Sequence, residues 1–305
     1  MARYSDRYWR RPTLWHFLKN LPLRLLIAIC RRLPVDWTSN ALGALGRLVG
    51  PRLPANDRIR QNLRLVWPAI SEAEIGRISA GGWDNLARVP NDYWNIDRIV
   101  REQDDRIEIA GLENLLAIRD GNRPAIFFAA HLAEWEMVTL AVRRHDLPIT
   151  CVYRPFNDPC FDSIVRDKQR LSGVELIMKG RDGARRLTRV LRANGCTIML
   201  VDVRMNDGIA VPFMGIDAMT PSAPAALALK YGALLAPVRV ERTGATRFRV
   251  TFEEPRPPVD TGNREADIAA TMAWVNERIE AWVRARPEQW MWLHRRWGKN
   301  PRRPE

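Results

Sequence analysis

The sequence predicts an α/β fold, with a mostly parallel central sheet flanked by helices, and three patterns support this. The run 125–130 is apolar throughout, which is typical of a strand buried on both faces. Short apolar runs then alternate with helical patterns, as they do in parallel α/β proteins. Two late strands, 234–240 and 247–252, follow each other without a helix between them, so we expect at least one antiparallel member near the end of the chain.

The elements follow in order along the chain. Helical patterns cover 56–97, 112–119, 136–144, 161–171, 183–193, 221–231 and 267–285. Strand patterns cover 106–110, 125–130, 148–153, 175–178, 197–201, 234–240 and 247–252. Within 56–97, a first helix precedes Trp67-Pro68, and the capping-box signature of Ser71 and Glu74 opens another helix. Arg286-Pro287 stops the last helix.

Residues 1–55 are predicted to form a membrane-associated helical segment ahead of one catalytic domain over 56–305. The apolar stretch 21–30 is interrupted by Pro22 and Arg24, so it is too short and too charged to predict a transmembrane span. With a second apolar stretch at 41–49, it indicates helices lying in the bilayer surface with arginines toward the headgroups. Amphipathic helices packed on the body of the protein are the alternative.

Composition limits the class of protein. A chain of 305 residues with 46% hydrophobic and 27% charged residues is neither a disordered tail nor a multi-span membrane protein. The net charge of +13 indicates acidic partners, which include nucleic acid, anionic lipid, phosphorylated glycans and acidic proteins. The four cysteines have no CxxC or metal-ligand spacing, so we expect reduced intracellular thiols at Cys30, Cys151, Cys160 and Cys196.

Tryptophan is the most unusual residue type, with twelve copies against five tyrosines. Many lie near arginines toward the two ends of the chain, at Trp9, Trp15, Trp37, Trp274, Trp282, Trp290, Trp292 and Trp297. This combination suits a membrane interface, while core packing and protein contact are the ordinary alternatives.

The strongest candidate for chemistry is His131, which follows the buried strand 125–130 and precedes a helix. Ligands of open α/β sheets bind at such strand ends. Glu136 can curl back from the first turn of that helix and accept the Nδ1 proton of His131, which leaves Nε2 as a base for an approaching hydroxyl. A strand-end histidine that is merely hydrogen-bonded is the alternative.

Two basic segments are predicted to bind substrate. Arg154 and Asn157 follow the strand 148–153, and a guanidinium there can hold a phosphate or stabilise an oxyanion. Arg181 and Arg185 lie at the start of a helix, where anions bind favourably. A surface arginine in a turn and a solvated basic helix face are the respective alternatives.

Asp202 ends a further strand and precedes an apolar, glycine-containing loop at 204–215. We expect this loop to line a lipid channel, with Arg204 in contact with substrate and Asp202 orienting a nearby arginine. A well-packed turn is the alternative.

The sequence has no GxSxG elbow, Walker loop, GxGxxG opening or paired zinc histidines, and no metal is required.

Taken in order, five blocks of the sequence resemble the bacterial late acyltransferases of lipid A biosynthesis, over about residues 14–297. The blocks are His131-x4-Glu136, Val152-Tyr153-Arg154-Pro155, Gly183-Ala184-Arg185-Arg186, Val211-Pro212-Phe213-Met214-Gly215 and Pro287-Glu288-Gln289-Trp290. The first block is the HX4(D/E) dyad that this family shares with glycerolipid acyltransferases, so the resemblance implies a glycerolipid acyltransferase-like fold.

The resemblance implies transfer of a fatty acyl group from acyl carrier protein to a hydroxyl of a lipid A precursor or a related anionic lipid. His131 would be the base, Glu136 its orienting acid, and Arg154 a contact of substrate phosphate or oxyanion. It implies no metal or nucleotide cofactor and no nucleic-acid partner, and it places the protein on the membrane surface, at the cytoplasmic face of the bacterial inner membrane. Two features depart from the family: Val203 replaces a frequent glutamine, and the N-terminal apolar segment is weaker than the usual transmembrane helix.

Two other functions remain open at the level of sequence. The same chemistry can serve a lysophospholipid, a glycolipid or an ornithine-type lipid as acceptor. A non-catalytic membrane or nucleic-acid binding protein would use the basic, tryptophan-rich surface. Such a binding protein would not need the pair of His131 and Glu136.

Overall fold

The protein is built around a seven-stranded sheet of order β1-β9-β8-β2-β5-β3-β4, with a separate β6-β7 hairpin. The computed structural model describes residues 14–153, 158, 162–163, 166 and 173–298. The strands are β1 (Ile107–Ala110), β2 (Ala125–Ala129), β3 (Ile149–Tyr153), β4 (Glu175–Met178), β5 (Cys196–Leu200), β6 (Ile209–Phe213), β7 (Ile216–Thr220), β8 (Leu234–Arg242) and β9 (Phe248–Phe252). Strands β8, β2, β5, β3 and β4 run parallel, whereas β9 pairs antiparallel with β8 and carries β1 alongside it. The predicted mixed α/β fold with a mostly parallel sheet is confirmed.

Helices cover both faces of this sheet. They are α1 (Leu14–Lys19), α2 (Leu21–Arg32), α3 (Val35–Val49), α4 (Asn56–Val66), α5 (Glu72–Trp94), α6 (Ile96–Arg101), α7 (Gln103–Arg106), α8 (Leu112–Asp120), α9 (Met137–Arg144), α10 (Arg181–Arg192), α11 (Ala223–Tyr231) and α12 (Arg264–Ala285). Short 3-10 turns follow α3 at Gly50–Arg52 and α12 at Pro287–Gln289. The predicted helix 161–171 lies mostly outside the described residues.

Strand β2 divides the hydrophobic core into two layers. Ile126 and Phe128 point to the layer under α4, α10, α11 and α12, while Phe127 and Ala129 point to the layer under α6, α8 and α9. All five β2 residues are buried, as the unbroken apolar run predicts for a central parallel strand. The residues that follow β2 are therefore held by packing on both sides.

Local signals set several helix boundaries. The Ser71 hydroxyl caps α5 by accepting the backbone N–H of Glu74 at 3.2 Å, which confirms the predicted capping signature. The Asn263 side chain caps α12 in the same way through Ala266, so this helix starts before the predicted residue 267. The predicted helical region 56–97 is three helices, α4, α5 and α6, because Trp67-Pro68 separates the first two.

The second half of the predicted loop at 204–215 is strand β6 and the turn of the β6-β7 hairpin instead. Met214 and Gly215 form its two-residue turn with positive φ angles of 57° and 71°, and Met214 N–H donates to Glu280 Oε2 at 2.7 Å. Val211 and Phe213 are buried, and Phe213 stacks on Trp297 with ring centroids 5.8 Å apart. Val211, Phe213 and Met214 thus pack in the core, and the expectation that the loop lines a lipid channel is wrong for these residues.

The N-terminal helices pack on α5 through one face and expose apolar side chains on the other. Gly43, Gly46 and Gly50 of α3 and its following turn lie so close to Trp83, Ala87 and Arg88 of α5 that an added Cβ would clash. The exposed large apolar residues are Trp15, Leu18, Leu21, Leu25, Leu26, Ile29, Leu33, Trp37, Leu45, Leu48, Val49 and Leu53, which we call the N-terminal apolar face.

Among the described helices, none is both long and apolar enough to cross a membrane.

The tryptophans divide according to the end of the chain on which they lie. Trp15 and Trp37 are 70% and 74% exposed. Trp282, Trp290, Trp292 and Trp297 are buried, and they form part of the core against α4, α12 and the hairpin. For these four C-terminal tryptophans, the alternative of core packing is correct and a membrane interface is not.

Candidate active site

Two neighbouring parallel strands bring His131 and Asp202 together. The register of β2 and β5 pairs Ala129 with Leu200, so the residues two positions beyond each strand meet at the same edge of the sheet. These residues are His131 and Asp202. Strand register, rather than proximity in sequence, therefore defines the pair.

Asp202 is fully buried and accepts three hydrogen bonds. Its Oδ1 lies 2.8 Å from His131 Nδ1, and its Oδ2 accepts the backbone N–H of His131 at 2.9 Å and the indole N–H of Trp290 at 2.8 Å. Burial alone would raise the pKa of Asp202, but the charge and hydrogen bonds of His131, with Trp290, hold it well below its usual range. Asp202 is therefore an ionised acceptor, and it fixes the proton of His131 on Nδ1.

His131 is thereby set up as a base. Burial lowers the pKa of His131, but the charge of Asp202 and the hydrogen bond to it outweigh that effect and raise the pKa above its ordinary value. The His131 side chain is 23% exposed and lines a pocket. With Nδ1 protonated, Nε2 carries the lone pair that can accept a proton.

The predicted partner of His131 is wrong in this structure. The position against Nδ1 that we predicted for Glu136 is occupied by Asp202, and Asp202 orients His131 rather than an arginine. Glu136 is buried at the start of α9 and lines the same pocket. Its charge adds to burial in raising the pKa of Cys151 to about 12, which places the carboxylate toward β3.

The turn between His131 and Glu136 is fastened to the end of the chain. Ala133 adopts a left-handed conformation with φ of 48°, and its N–H donates to the carbonyl of Gln289 at 2.9 Å. Met291 N–H donates to the carbonyl of His131 at 3.2 Å. The segment 287–298 thus supports the backbone of His131 as well as the carboxylate of Asp202.

The pocket around His131 has a volume of about 1070 Å³ and mostly apolar walls. One wall comes from α5, and another comes from β5, α10 and α11. Its apolar lining includes Trp83, Leu86, Val89, Leu187, Met199 and Leu227. A cavity of this kind, with few polar groups near one end of a strand, suits a long apolar ligand whose reacting group lies near His131.

A buried charge cluster lies behind the turn. Arg242 donates to Asp92 Oδ2 at 2.5 Å, and both side chains are nearly inaccessible to solvent. Burial raises the pKa of Glu134 to about 8, and the charge of Asp92 adds to this effect while Arg242 opposes it. Glu134 is thus a neutral carboxylic acid at pH 7, in the turn that carries His131.

The structure separates the other predicted substrate-binding residues. Arg204 lines the pocket. Arg181 and Arg185 are exposed on α10 and do not line the pocket. Lys179, which precedes α10, and Gly183 in its first turn line the pocket instead. Arg154 and Asn157 lie outside the described residues.

Trp290 and His294 are site residues that the sequence prediction missed. Trp290 donates to Asp202, and the ring of His294 lies edge-to-face with that of His131 at a centroid distance of 5.4 Å. From the sequence, the tryptophans of this segment suit a membrane interface, with core packing and protein contact as the alternatives. Within the described part of the chain, no group of three His, Cys, Asp or Glu residues could hold a metal ion.

Comparison with known proteins agrees with the chemistry of this pocket. The lipid A biosynthesis lauroyltransferase of Escherichia coli K12 is 24% identical over 257 residues, which cover 80% of this chain and 79% of the relative. The myristoyltransferase of the same pathway and organism is 25% identical over 296 residues, covering 94% of this chain and 88% of the relative. The palmitoleoyltransferase is 23% identical over 268 residues, covering 84% and 83%.

The comparison with solved structures found similar chains. One of them is the 1-acyl-sn-glycerophosphate (LPA) acyltransferase PlsC from Thermotoga maritima, with a TM-score of 0.40 and 13% identity, covering 84% of this chain and 99% of that chain. A family model described as bacterial lipid A biosynthesis acyltransferase matches residues 9–299. The chain therefore belongs to the bacterial lipid A biosynthesis acyltransferase family and is an acyltransferase.

Proposed function

We propose that the protein transfers a fatty acyl group from acyl carrier protein to a hydroxyl of a lipid A precursor, with His131 as the base and Asp202 as its orienting carboxylate. The observation that carries this proposal is the 2.8 Å contact of His131 Nδ1 with Asp202 at the wall of a large apolar pocket. Family membership supports lipid A as the source of the acceptor.

The proposed reaction needs only one base and an activated donor. Nε2 of His131 removes the hydroxyl proton as the oxygen attacks the thioester carbonyl carbon. The C–S bond then breaks, and the departing thiolate takes the proton back from Nε2. Asp202 stabilises the positive charge that His131 carries between these two steps.

The remaining predicted site residues keep narrower roles in this proposal. Glu136 and Arg204 line the pocket and are assigned contact with substrate. Arg181 and Arg185, exposed on the pocket-lining helix α10, are assigned electrostatic attraction of an acidic carrier protein, to which the net charge of +13 contributes. We also propose that the N-terminal apolar face binds the cytoplasmic surface of the bacterial inner membrane, from which a lipid acceptor enters the pocket.

The test is acyl transfer from acyl carrier protein to a purified lipid A precursor by the wild type and His131→Ala. The variant should lose about 10²- to 10⁴-fold in kcat, because general base catalysis contributes that much. Undiminished transfer by this variant would refute the assignment of the base.

A second measurement addresses the acceptor. Lipid A mass spectra from cells with and without the gene should differ by one acyl group. A change confined to phospholipids, glycolipids or ornithine-type lipids would assign a different acceptor. If arginine-to-glutamate changes abolished the biological role while His131→Ala still functioned in cells, the results would instead favour a binding protein.

A further inference from the structure

A second histidine, His294, lies beside His131 in the wall of the same pocket. The two rings meet edge-to-face at a centroid distance of 5.4 Å and an interplanar angle of 66°. The backbone that carries His294 is fixed, because the Asn62 side chain donates to the carbonyls of Trp292 and His294 at 2.7 and 2.9 Å. The backbone from which the His294 ring projects is thus held in place.

The polar edge of this ring is buried without a hydrogen-bond partner. Among the residues that the structure describes, no atom accepts from or donates to His294 Nε2. A buried polar atom left unpaired costs about 1–3 kcal/mol, and a catalytic role is one of the recognised reasons for which a native structure keeps such an atom. Burial, followed by the charge of His131, lowers the pKa of His294, so its imidazole is neutral at pH 7.

We propose that His294 is a further catalytic residue, whose Nε2–H donates a hydrogen bond to the carbonyl oxygen of the acyl thioester and stabilises the oxyanion. This inference rests on the proposed function. His131 already supplies the base, because Asp202 holds its Nδ1. Among the described residues, no hydrogen bond joins the His294 ring to a carboxylate, so His294 has no such orienting partner for the role of base. The neutral imidazole of His294 lies next to the ring of His131. From there it can donate a hydrogen bond to the carbonyl oxygen of the thioester that the hydroxyl attacks.

The proton balance of the reaction leaves His294 unchanged. When the hydroxyl oxygen bonds to the carbonyl carbon, its proton passes to His131 Nε2 and the carbonyl electron pair moves onto the oxygen. His294 donates to that oxygen throughout this stage. When the electron pair returns, the C–S bond breaks, and the thiolate receives the proton from His131.

The experiment compares His294→Gln and His294→Phe with the wild type in acyl transfer from acyl carrier protein. Gln retains an N–H donor at about the position of Nε2, while Phe keeps the ring shape without a donor. Phe should lower kcat by about 10²- to 10³-fold with little change in KM, as for loss of one oxyanion donor, and Gln should recover most of this loss. The control is His145→Phe at the end of α9, which does not line the pocket and should leave kcat unchanged.

Two outcomes would overturn the inference. One is a kcat within a few-fold of wild type for His294→Phe. The other is a His294→Gln variant that melts like the wild type and is as inactive as His294→Phe, since the donor alone would then not account for the role. Full activity of His131→Ala would instead refute the proposed function, and so the two failures are distinguishable.

Discussion

At the scale of single residues, the sequence singles out His131 as the candidate base and misidentifies the carboxylate that contacts it. His131 is recognisable because it follows a fully apolar strand. Glu136 was chosen as its partner because it is close in sequence, although Asp202 also follows a strand and parallel neighbours bring such ends together. Strand order cannot be read from one sequence, so the contact between β2 and β5 was out of reach. The sequence does name Asp202 as a site residue at a strand end, but only the register of β2 and β5 places it against His131 Nδ1.

Asp202→Asn tests the pair directly. The amide removes the charge that raises the pKa of His131, so the acid limb of the kcat/KM profile should move to lower pH. The amide also leaves the three donors around residue 202 with fewer acceptor sites, and kcat should fall by about 10²- to 10⁴-fold.

Glu136→Gln is the matched comparison, because it also neutralises a buried carboxylate of the pocket. It should leave the acid limb in place. A shift with Glu136→Gln and none with Asp202→Asn would restore Glu136 as the orienting residue.

Glu134→Gln should stabilise the fold at alkaline pH. Because the pKa of Glu134 is raised to about 8, the folded state holds a proton that the unfolded chain releases above about pH 4.5. The free energy of unfolding therefore falls as pH rises from about 4.5 to 8, and glutamine removes this loss.

We expect Glu134→Gln to gain about 2–5 kcal/mol over the wild type between pH 5 and pH 8, measured by urea unfolding. The exposed Glu277→Gln is the control and should show no such gain. Parallel pH dependence of the wild type and Glu134→Gln would contradict a protonated Glu134.

At the scale of elements, periodicity predicts most helices and strands but not the hairpin. Regular helices such as α8 and α12 and buried strands such as β4 carry their own pattern, so their positions agree with prediction. The β6-β7 hairpin has a continuous apolar run with Pro212 inside it, which hides the alternation typical of a strand. The hairpin is stabilised by packing against Trp297 and α12. These contacts join residues far apart in sequence, so the local sequence pattern does not predict them.

The contact of α3 with α5 gives a prediction at this scale. Gly46→Ala would put a Cβ at 2.5 Å from the Cβ of Ala87 and the carbonyl oxygen of Trp83. The resulting overpacking should lower the free energy of unfolding by about 1–3 kcal/mol. The measurement is the midpoint of chemical denaturation.

Gly76→Ala is the matched control within α5, since an added Cβ there meets nothing within 4 Å. It should raise stability by about 0.5–1 kcal/mol through helix propensity. Equal effects of the two substitutions would show that close packing of α3 on α5 is not what Gly46 provides.

At the scale of the whole molecule, helix α5 contacts the N-terminal helices, the pocket and the turn at Pro287–Gln289. Trp83, Leu86 and Val89 of α5 line the pocket, while the N-terminal helices pack on the same helix. The N-terminal apolar face therefore lies on elements directly attached to a wall of the site. This arrangement supports the proposal that the acceptor reaches His131 from a membrane surface.

Vesicle binding tests that proposal. Leu45 and Leu48 are 55% and 60% exposed on α3, and the double substitution Leu45→Glu with Leu48→Glu should weaken sedimentation with anionic phospholipid vesicles by more than about tenfold. The control is Val259→Glu, an exposed apolar residue outside the N-terminal helices, which should bind as the wild type does. Unchanged binding of the double variant would remove the N-terminal apolar face as the membrane contact.

The attachment of Trp290 to Asp202 also has a consequence for how the enzyme is made. A ribosome completes every strand of the sheet before it reaches Trp290, Met291 and His294. At about 5–20 residues per second, the growing chain spends a few seconds with its sheet complete and without the segment that holds His131 and Asp202. The hydrogen bond that holds Asp202 against Trp290 therefore forms only after all the strands of the sheet have been synthesised.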